Sequence, residues 1–168
     1  MPITRLNHAV LYVRDVAASV AFYREVLGFT VVNEMPGAAF LQAPASTNDH
    51  DLGLFQIGGD AGPSGAGQST VGLYHLAWEV DTLDELARLS EVLSKRGALV
   101  GATDHSATKS LYARDPDGLE FEVAWIVPAA LVTKEVIDGR SALKPLDLPT
   151  EIARYGGSTR GGVGVSVV

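Results

Sequence analysis

Two stretches of the chain carry the same pattern of apolar and polar positions. Leu6-Asn7-His8-Ala9-Val10-Leu11-Tyr12-Val13 reads as an apolar strand, and so does Leu73-Tyr74-His75-Leu76-Ala77-Trp78-Glu79-Val80. In each, a Leu stands two residues before a His and a Val five after it. A helical period follows both times. Val16, Val20, Tyr23 and Leu27 recur at spacings of four, three and four, and Gly28 is a stop. Leu83, Leu86, Leu89 and Leu93 recur in the second copy, with Thr82 and Glu85 as a capping box and Gly97 as the end. Three short strands are predicted after each helix, near 29–35, 38–43 and 52–58, then near 98–103, 109–114 and 119–127. Each copy is therefore β-α-β-β-β, and the Gly- and Ser-rich segment 58–70 reads as the linker. The expected fold class is α+β, built as two tandem βαβββ modules. Module one runs over about 5–58 and module two over about 73–127, within one domain over 1–130; residues 131–168 form a C-terminal extension.

The repeat places polar residues as well as apolar ones. From His8 to Gln56 is 48 residues, and from His75 to Glu122 is 47. Gln56 in Phe55-Gln56-Ile57 and Glu122 in Phe121-Glu122-Val123 thus read as equivalent positions on the last strands. Pseudo-symmetric modules would bring His8, Gln56, His75 and Glu122 around one axis. Polar groups aimed at the face of a sheet are costly unless paired or coordinated, and a metal removes that cost. A lone strand histidine is ordinarily structural; two at repeat-equivalent positions with a matching carboxylate are a metal set. Two imidazoles and one carboxylate are the donors of non-haem Fe(II) oxygen chemistry, and Mn(II) accepts the same donors. The expected ligands are His8, His75 and Glu122. Glu120 shares strand parity with Glu122. The repeat prefers Glu122 and leaves Glu120 as a solvated or structural carboxylate.

Composition narrows the classes further. The chain has 168 residues, 46% apolar and 20% charged, which suits one domain with a real core. Net charge is −7 with no basic stripe, so no nucleic-acid partner is expected. There are no cysteines, which excludes disulfides, thiolate zinc sites and cysteine nucleophiles. Met1-Pro2-Ile3-Thr4-Arg5 has no apolar h-region, and no apolar run is long enough to span a bilayer. A cytoplasmic location without membrane association is expected.

The span 5–126 resembles the vicinal oxygen chelate superfamily, whose paired βαβββ modules form an open, cup-shaped barrel around one metal. Asp115-Pro116-Asp117-Gly118-Leu119-Glu120-Phe121-Glu122 is similar to that superfamily's DPxGxxxE signature, in which the last Glu is the metal ligand. The finer resemblance is to compact, single-domain type I extradiol dioxygenases of the catechol 2,3-dioxygenase kind. It implies three more site residues. Tyr112 stands ten residues before Glu122, where the family has a Tyr; His105 in Asp104-His105-Ser106 matches a His ahead of that Tyr; and His50-Asp51-Leu52-Gly53 resembles an H-x-L-A pattern. Each also has a plain structural reading: His105 as a loop histidine, His50 as a turn residue and Tyr112 as a half-buried strand aromatic. The resemblance implies Fe(II), a catecholic substrate and O2, with ring cleavage to a 2-hydroxymuconic-semialdehyde-type product. Tyr112 and His105 would hold the catechol, His50 would serve the oxygen, and Val10, Tyr12 and Ala77 are candidate pocket walls. Two other activities live on this fold. A glyoxalase-I-like isomerase would use Gln56 as a fourth ligand, and an antibiotic-binding module would use the cup without a metal. Leu143-Lys144-Pro145-Leu146-Asp147-Leu148 resembles a segment after the last strand in catechol dioxygenases. Relatives commonly associate, so a homo-oligomer is compatible with the family, and the Gly- and Val-rich tail 156–168 would suit a subunit contact.

Overall fold

The computed structural model describes residues 2, 3, 5–141 and 143–162. Met1, Thr4 and the end of the expected contact tail, 163–168, lie outside the described residues. The chain divides into two compact units. One comprises Met1–Ser64 with Asp115–Gly118, the other Gly65–Arg114 with Leu119–Val168.

The first unit holds β1 (Ala9–Val13), α1 (Val16–Leu27), β2 (Thr30–Met35), β3 (Ala38–Gln42) and β4 (Leu52–Gln56). They form a sheet of order β1-β4-β3-β2, with β1 and β4 parallel and the other pairs antiparallel. Asp15 caps α1, accepting from the Ala17 and Ala18 amides, and Gly28 ends it at φ 73°. Burial follows the helical period: Val20, Tyr23 and Val26 face inward with Phe22, against Leu11, Val13, Leu41, Leu52 and Leu54 of the sheet.

The second unit repeats the plan. It has β5 (Leu76–Glu79), α2 (Leu83–Lys95), β6 (Leu99–Asp104), β7 (Thr108–Arg114) and β8 (Glu120–Ile126), in the order β5-β8-β7-β6 with β5 and β8 parallel. All four predicted leucines of α2 are buried. Thr82 accepts from the Glu85 amide at 3.2 Å, but the Glu85 carboxylate pairs with Arg88 at 2.5 Å instead of closing the box. Even the irregularities repeat, since β2 and β6 each bulge near their start.

The two expected strands at 6–13 and 73–80 are shorter than their apolar runs. β1 begins at Ala9 and β5 at Leu76, so His8 and His75 each lie one residue ahead of a strand. Beyond β8, α3 (Lys134–Asp138), β9 (Lys144–Pro145) and α4 (Leu148–Tyr155) belong to the second unit. β9 pairs with β6, so part of the segment 143–148 becomes a sheet edge. The sheets are two, one in each module, with no strand shared between them among the described residues. No helix among the described residues is long and apolar enough to cross a membrane.

Candidate active site

Alternation along β8 places the candidate residues of the second unit. Phe121, Val123 and Trp125 are buried in the core, so Glu120, Glu122 and Ala124 take the other face. Register sets Glu122 directly opposite Tyr112 on β7 and beside Ala77 on β5. His75, just before β5, places Nε2 3.1 Å from Glu122 Oε2. The other carboxylate oxygen, Oε1, accepts from the Ser110 hydroxyl at 2.5 Å. His75 Nδ1 is buried without a partner, so the ring is not satisfied as an ordinary structural histidine would be. Glu120 pairs loosely with Arg114 at 3.9 Å, and its charge raises the pKa of Tyr74.

The same face carries the expected Tyr–His couple. His105 Nε2 and the Tyr112 hydroxyl are 2.9 Å apart, and the Tyr112 ring meets the His75 ring edge-on at 5.7 Å. Burial and then the Glu122 charge raise the Tyr112 pKa, which keeps its hydroxyl protonated as a donor. His105 owes its place to a strained turn. Ser106 has φ 66°, its amide donates to Asp104 Oδ1 at 2.7 Å, and its hydroxyl donates to the Val136 carbonyl of α3 at 2.9 Å.

The first unit brings His8 and His50 together. Their ring centroids lie 4.4 Å apart with the planes tilted by 39°, and Phe40 meets His50 edge-on at 5.1 Å. His8 is exposed, with Nδ1 2.8 Å from Asn7 Oδ1. His50 Nδ1 lies 2.9 Å from Asp49 Oδ2. The loop carrying His50 is tied to buried Asp51, whose carboxylate accepts from the Ala43 amide, the Ser46 hydroxyl and the Asn48 side chain at 2.7–2.8 Å. Asn48 also donates to the Asn7 carbonyl at 2.8 Å, so one side chain fixes the His50 loop and the approach to His8. Val10 and Tyr12 are exposed on β1, and Ala77 is exposed on β5.

The repeat count from His8 to Gln56 is corrected by the sheet register. Val10, two residues after His8, pairs with Gly53; Ala77, two after His75, pairs with Glu122. Gly53 is therefore the counterpart of Glu122, and Phe40, opposite Gly53, is the counterpart of Tyr112. Helix and loop lengths differ between modules, so residue counts drift. Gln56 serves another purpose: its side-chain oxygen accepts from the Val16 amide at 3.1 Å, at the start of α1.

The segment Asp115–Gly118 is a turn of defined purpose. Asp115 accepts from the Asp117 amide at 2.9 Å and from the buried Tyr23 hydroxyl at 3.2 Å, and Gly118 takes φ 80°. Arg14 clasps Asp117 at 2.7 Å. Asp115 and Asp117 are thus taken up by structural contacts, which leaves Glu122 as the acidic residue of the signature that lies beside a histidine.

Among the described residues no three His, Asp or Glu side chains are gathered into a metal set. His75 and Glu122 lie together in the second unit, and His8 belongs to the first. Ser110, Asn48 and Asp51 were not singled out from sequence. Ser110 shares strand parity with Tyr112, which is the one signal that pointed to it.

Comparison with known proteins completes the picture. Residues 5–123 match the sequence model of the family described as Glyoxalase/Bleomycin resistance protein/Dioxygenase superfamily. The chain is 37% identical over 120 residues to a protein named biphenyl-2,3-diol 1,2-dioxygenase 3 from Rhodococcus globerulus, covering 68% of this chain and 59% of that one. It is 31% identical over 123 residues to the catechol-2,3-dioxygenase of Bacillus subtilis (strain 168), covering 71% and 41%. The matched part thus spans about half the length of these curated relatives. Among solved structures, a glyoxylase/bleomycin resistance protein/dioxygenase domain from Frankia sp. EAN1pec superposes with a TM-score of 0.60 at 23% identity, over 76% of this chain and 96% of that one.

Proposed function

Because the chain belongs to the glyoxalase/bleomycin resistance protein/dioxygenase superfamily, we propose that it is an extradiol dioxygenase. It would open a catechol ring beside one hydroxyl, with both atoms of O2 entering a 2-hydroxymuconic-semialdehyde-type product. The observation that carries this reading is the arrangement on β7 and β8. Glu122 is held between Ser110 and His75, on the face that carries the Tyr112–His105 couple.

His75, Glu122 and His8 are the residues that would hold Fe(II), or Mn(II). When bound, the metal would supply Lewis acidity and redox chemistry toward a catechol and O2. The protein's own groups do the rest. Tyr112, kept protonated by burial and by the Glu122 charge, donates to a catechol oxygen. His105, hydrogen-bonded to that hydroxyl, fixes its direction. His50, braced at Nδ1 by Asp49, keeps Nε2 for proton transfer to the oxygen chemistry. Val10, Tyr12 and Ala77 offer apolar surface to a flat ring.

The four-ligand isomerase reading has less support. It needs a donor side chain in the first module, where the counterpart of Glu122 is Gly53 and the Gln56 oxygen is occupied by α1.

The test is anaerobic Fe(II) titration of the protein. One ion per chain is expected, and His8→Ala, His75→Ala and Glu122→Gln should each abolish tight binding. Unchanged binding in all three variants contradicts the site.

A further inference from the structure

The Ser110 side chain is fully buried, yet it sits on the site face of β7 and not among the core side chains. A serine hydroxyl carries one proton. A carboxylate is an acceptor only, so at 2.5 Å the proton of Ser110 points at Glu122 Oε1. That bond occupies one of the two carboxylate oxygens and turns the other, Oε2, to His75 Nε2 at 3.1 Å. Ser110 shares its face of β7 with Tyr112, two residues along the strand. Its strand position is rigid, because β7 is paired on both sides, with β6 and β8.

We propose that Ser110 is a positioning residue for the metal. It holds the Glu122 side chain in the rotamer that presents Oε2, so the carboxylate need not be ordered when the ion arrives. The inference rests on the reading of His75 and Glu122 as ligands. Glu is a long side chain with several free torsions, and fixing it beforehand removes an ordering cost from metal binding. Other groups fall short of this. The hydrophilic cavity of about 590 Å³ near Asp104, Lys134 and Lys144 is lined by charges that largely neutralise one another.

The experiment measures Fe(II) affinity without turnover. Anaerobic Fe(II) is competed against a chromogenic ferrous chelator, using the full chain, Ser110→Ala, Ser110→Thr and Glu122→Gln. The thermal midpoint of each metal-free protein is measured alongside. Loss of a residue that orients a ligand typically lowers metal affinity about 10–100-fold. Ser110→Ala should show that loss while its metal-free midpoint stays near the parent's, and Ser110→Thr should regain the affinity because it keeps the hydroxyl. If Glu122→Gln loses the metal and Ser110→Ala does not, the positioning role is overturned. If Ser110→Ala lowers the metal-free midpoint and Ser110→Thr restores the midpoint but not the affinity, the role is structural and the proposal fails. If the parent and Glu122→Gln bind Fe(II) equally, the underlying ligand reading fails instead.

Discussion

Glu122 and Gln56 stand at nearly the same distance from a histidine along the chain, and their surroundings give them different work. Glu122 faces Ser110 and His75, on a sheet face it shares with Tyr112 and Glu120. A half-buried carboxylate is costlier to place there than an apolar side chain, which suits the proposed role as a ligand. Gln56 is exposed and spends its oxygen on the first amide of α1, an amide no helix can satisfy internally. Its removal should therefore be felt in stability and not in the metal. Gln56→Ala is expected to lower the unfolding free energy by about 0.5–1.5 kcal/mol, the scale of one net hydrogen bond. Its Fe(II) affinity should match the parent's. Urea unfolding and metal titration on the same preparation read both, and a loss of Fe(II) with unchanged stability would make Gln56 a ligand after all.

At the scale of elements, the period of apolar residues was enough to find both modules. Leucine spacing located α2, and Gly28, Thr82 and Gly97 marked helix ends, whereas the Asp15 cap of α1 was not read from the sequence. What periodicity cannot show is register. Whether Gly53 or Gln56 answers to Glu122 depends on helix and loop lengths that a residue count from a histidine treats as equal. Nor did the pattern show that hydroxyls and amides such as Ser110 and Asn48 act as braces, because single polar residues have no period. The turn at Asp115–Gly118 shows how a short motif earns its residues. The Tyr23 hydroxyl is buried against Asp115, and burial first, then the Asp115 charge, raises its pKa well above the usual tyrosine value. A tyrosine whose folded pKa is raised contributes stability fully below its unfolded pKa of about 10 and loses it as pH climbs through the folded value. Tyr23→Phe should thus be less stable than the parent near neutral pH, by about 1.5–3 kcal/mol for a bond to a charged group. The gap should narrow above pH of about 10, where only the parent carries this penalty. Urea midpoints taken from neutral to alkaline pH follow it; a gap that widens with pH would contradict the assignment.

At the scale of the molecule, the C-terminal segment is integral to the second unit. Lys109 is 1% exposed on β7, donates to Asp104 at 2.5 Å and forms an ion pair with Glu151 of α4 at 2.9 Å. Trp125 donates to the Thr159 carbonyl at 3.1 Å, and the Asp84 amide donates to the Gly157 carbonyl at 2.9 Å. The segment also reaches the site, since the Val136 carbonyl of α3 holds Ser106 in the turn beside His105. Removing one carboxylate from a buried cation is expensive, typically about 3–5 kcal/mol when it was the sole partner. Asp104 remains in Glu151→Ala, so a loss toward the lower side of that range is expected by urea unfolding; a loss no larger than that of an exposed pair would contradict the buried role of Lys109. The central claim concerns chemistry, and oxygen uptake tests it most directly. Anaerobically Fe(II)-loaded protein, mixed with catechol in an oxygen electrode and followed by absorbance, should consume one O2 per catechol and release a ring-opened, yellow semialdehyde. His50→Ala should bind the catechol yet turn over about 10²–10⁴-fold more slowly, as loss of a proton-transfer group predicts. Metal-loaded protein that consumes no O2 with catechol or with a biphenyl-2,3-diol, and forms no ring-opened product, would contradict the account.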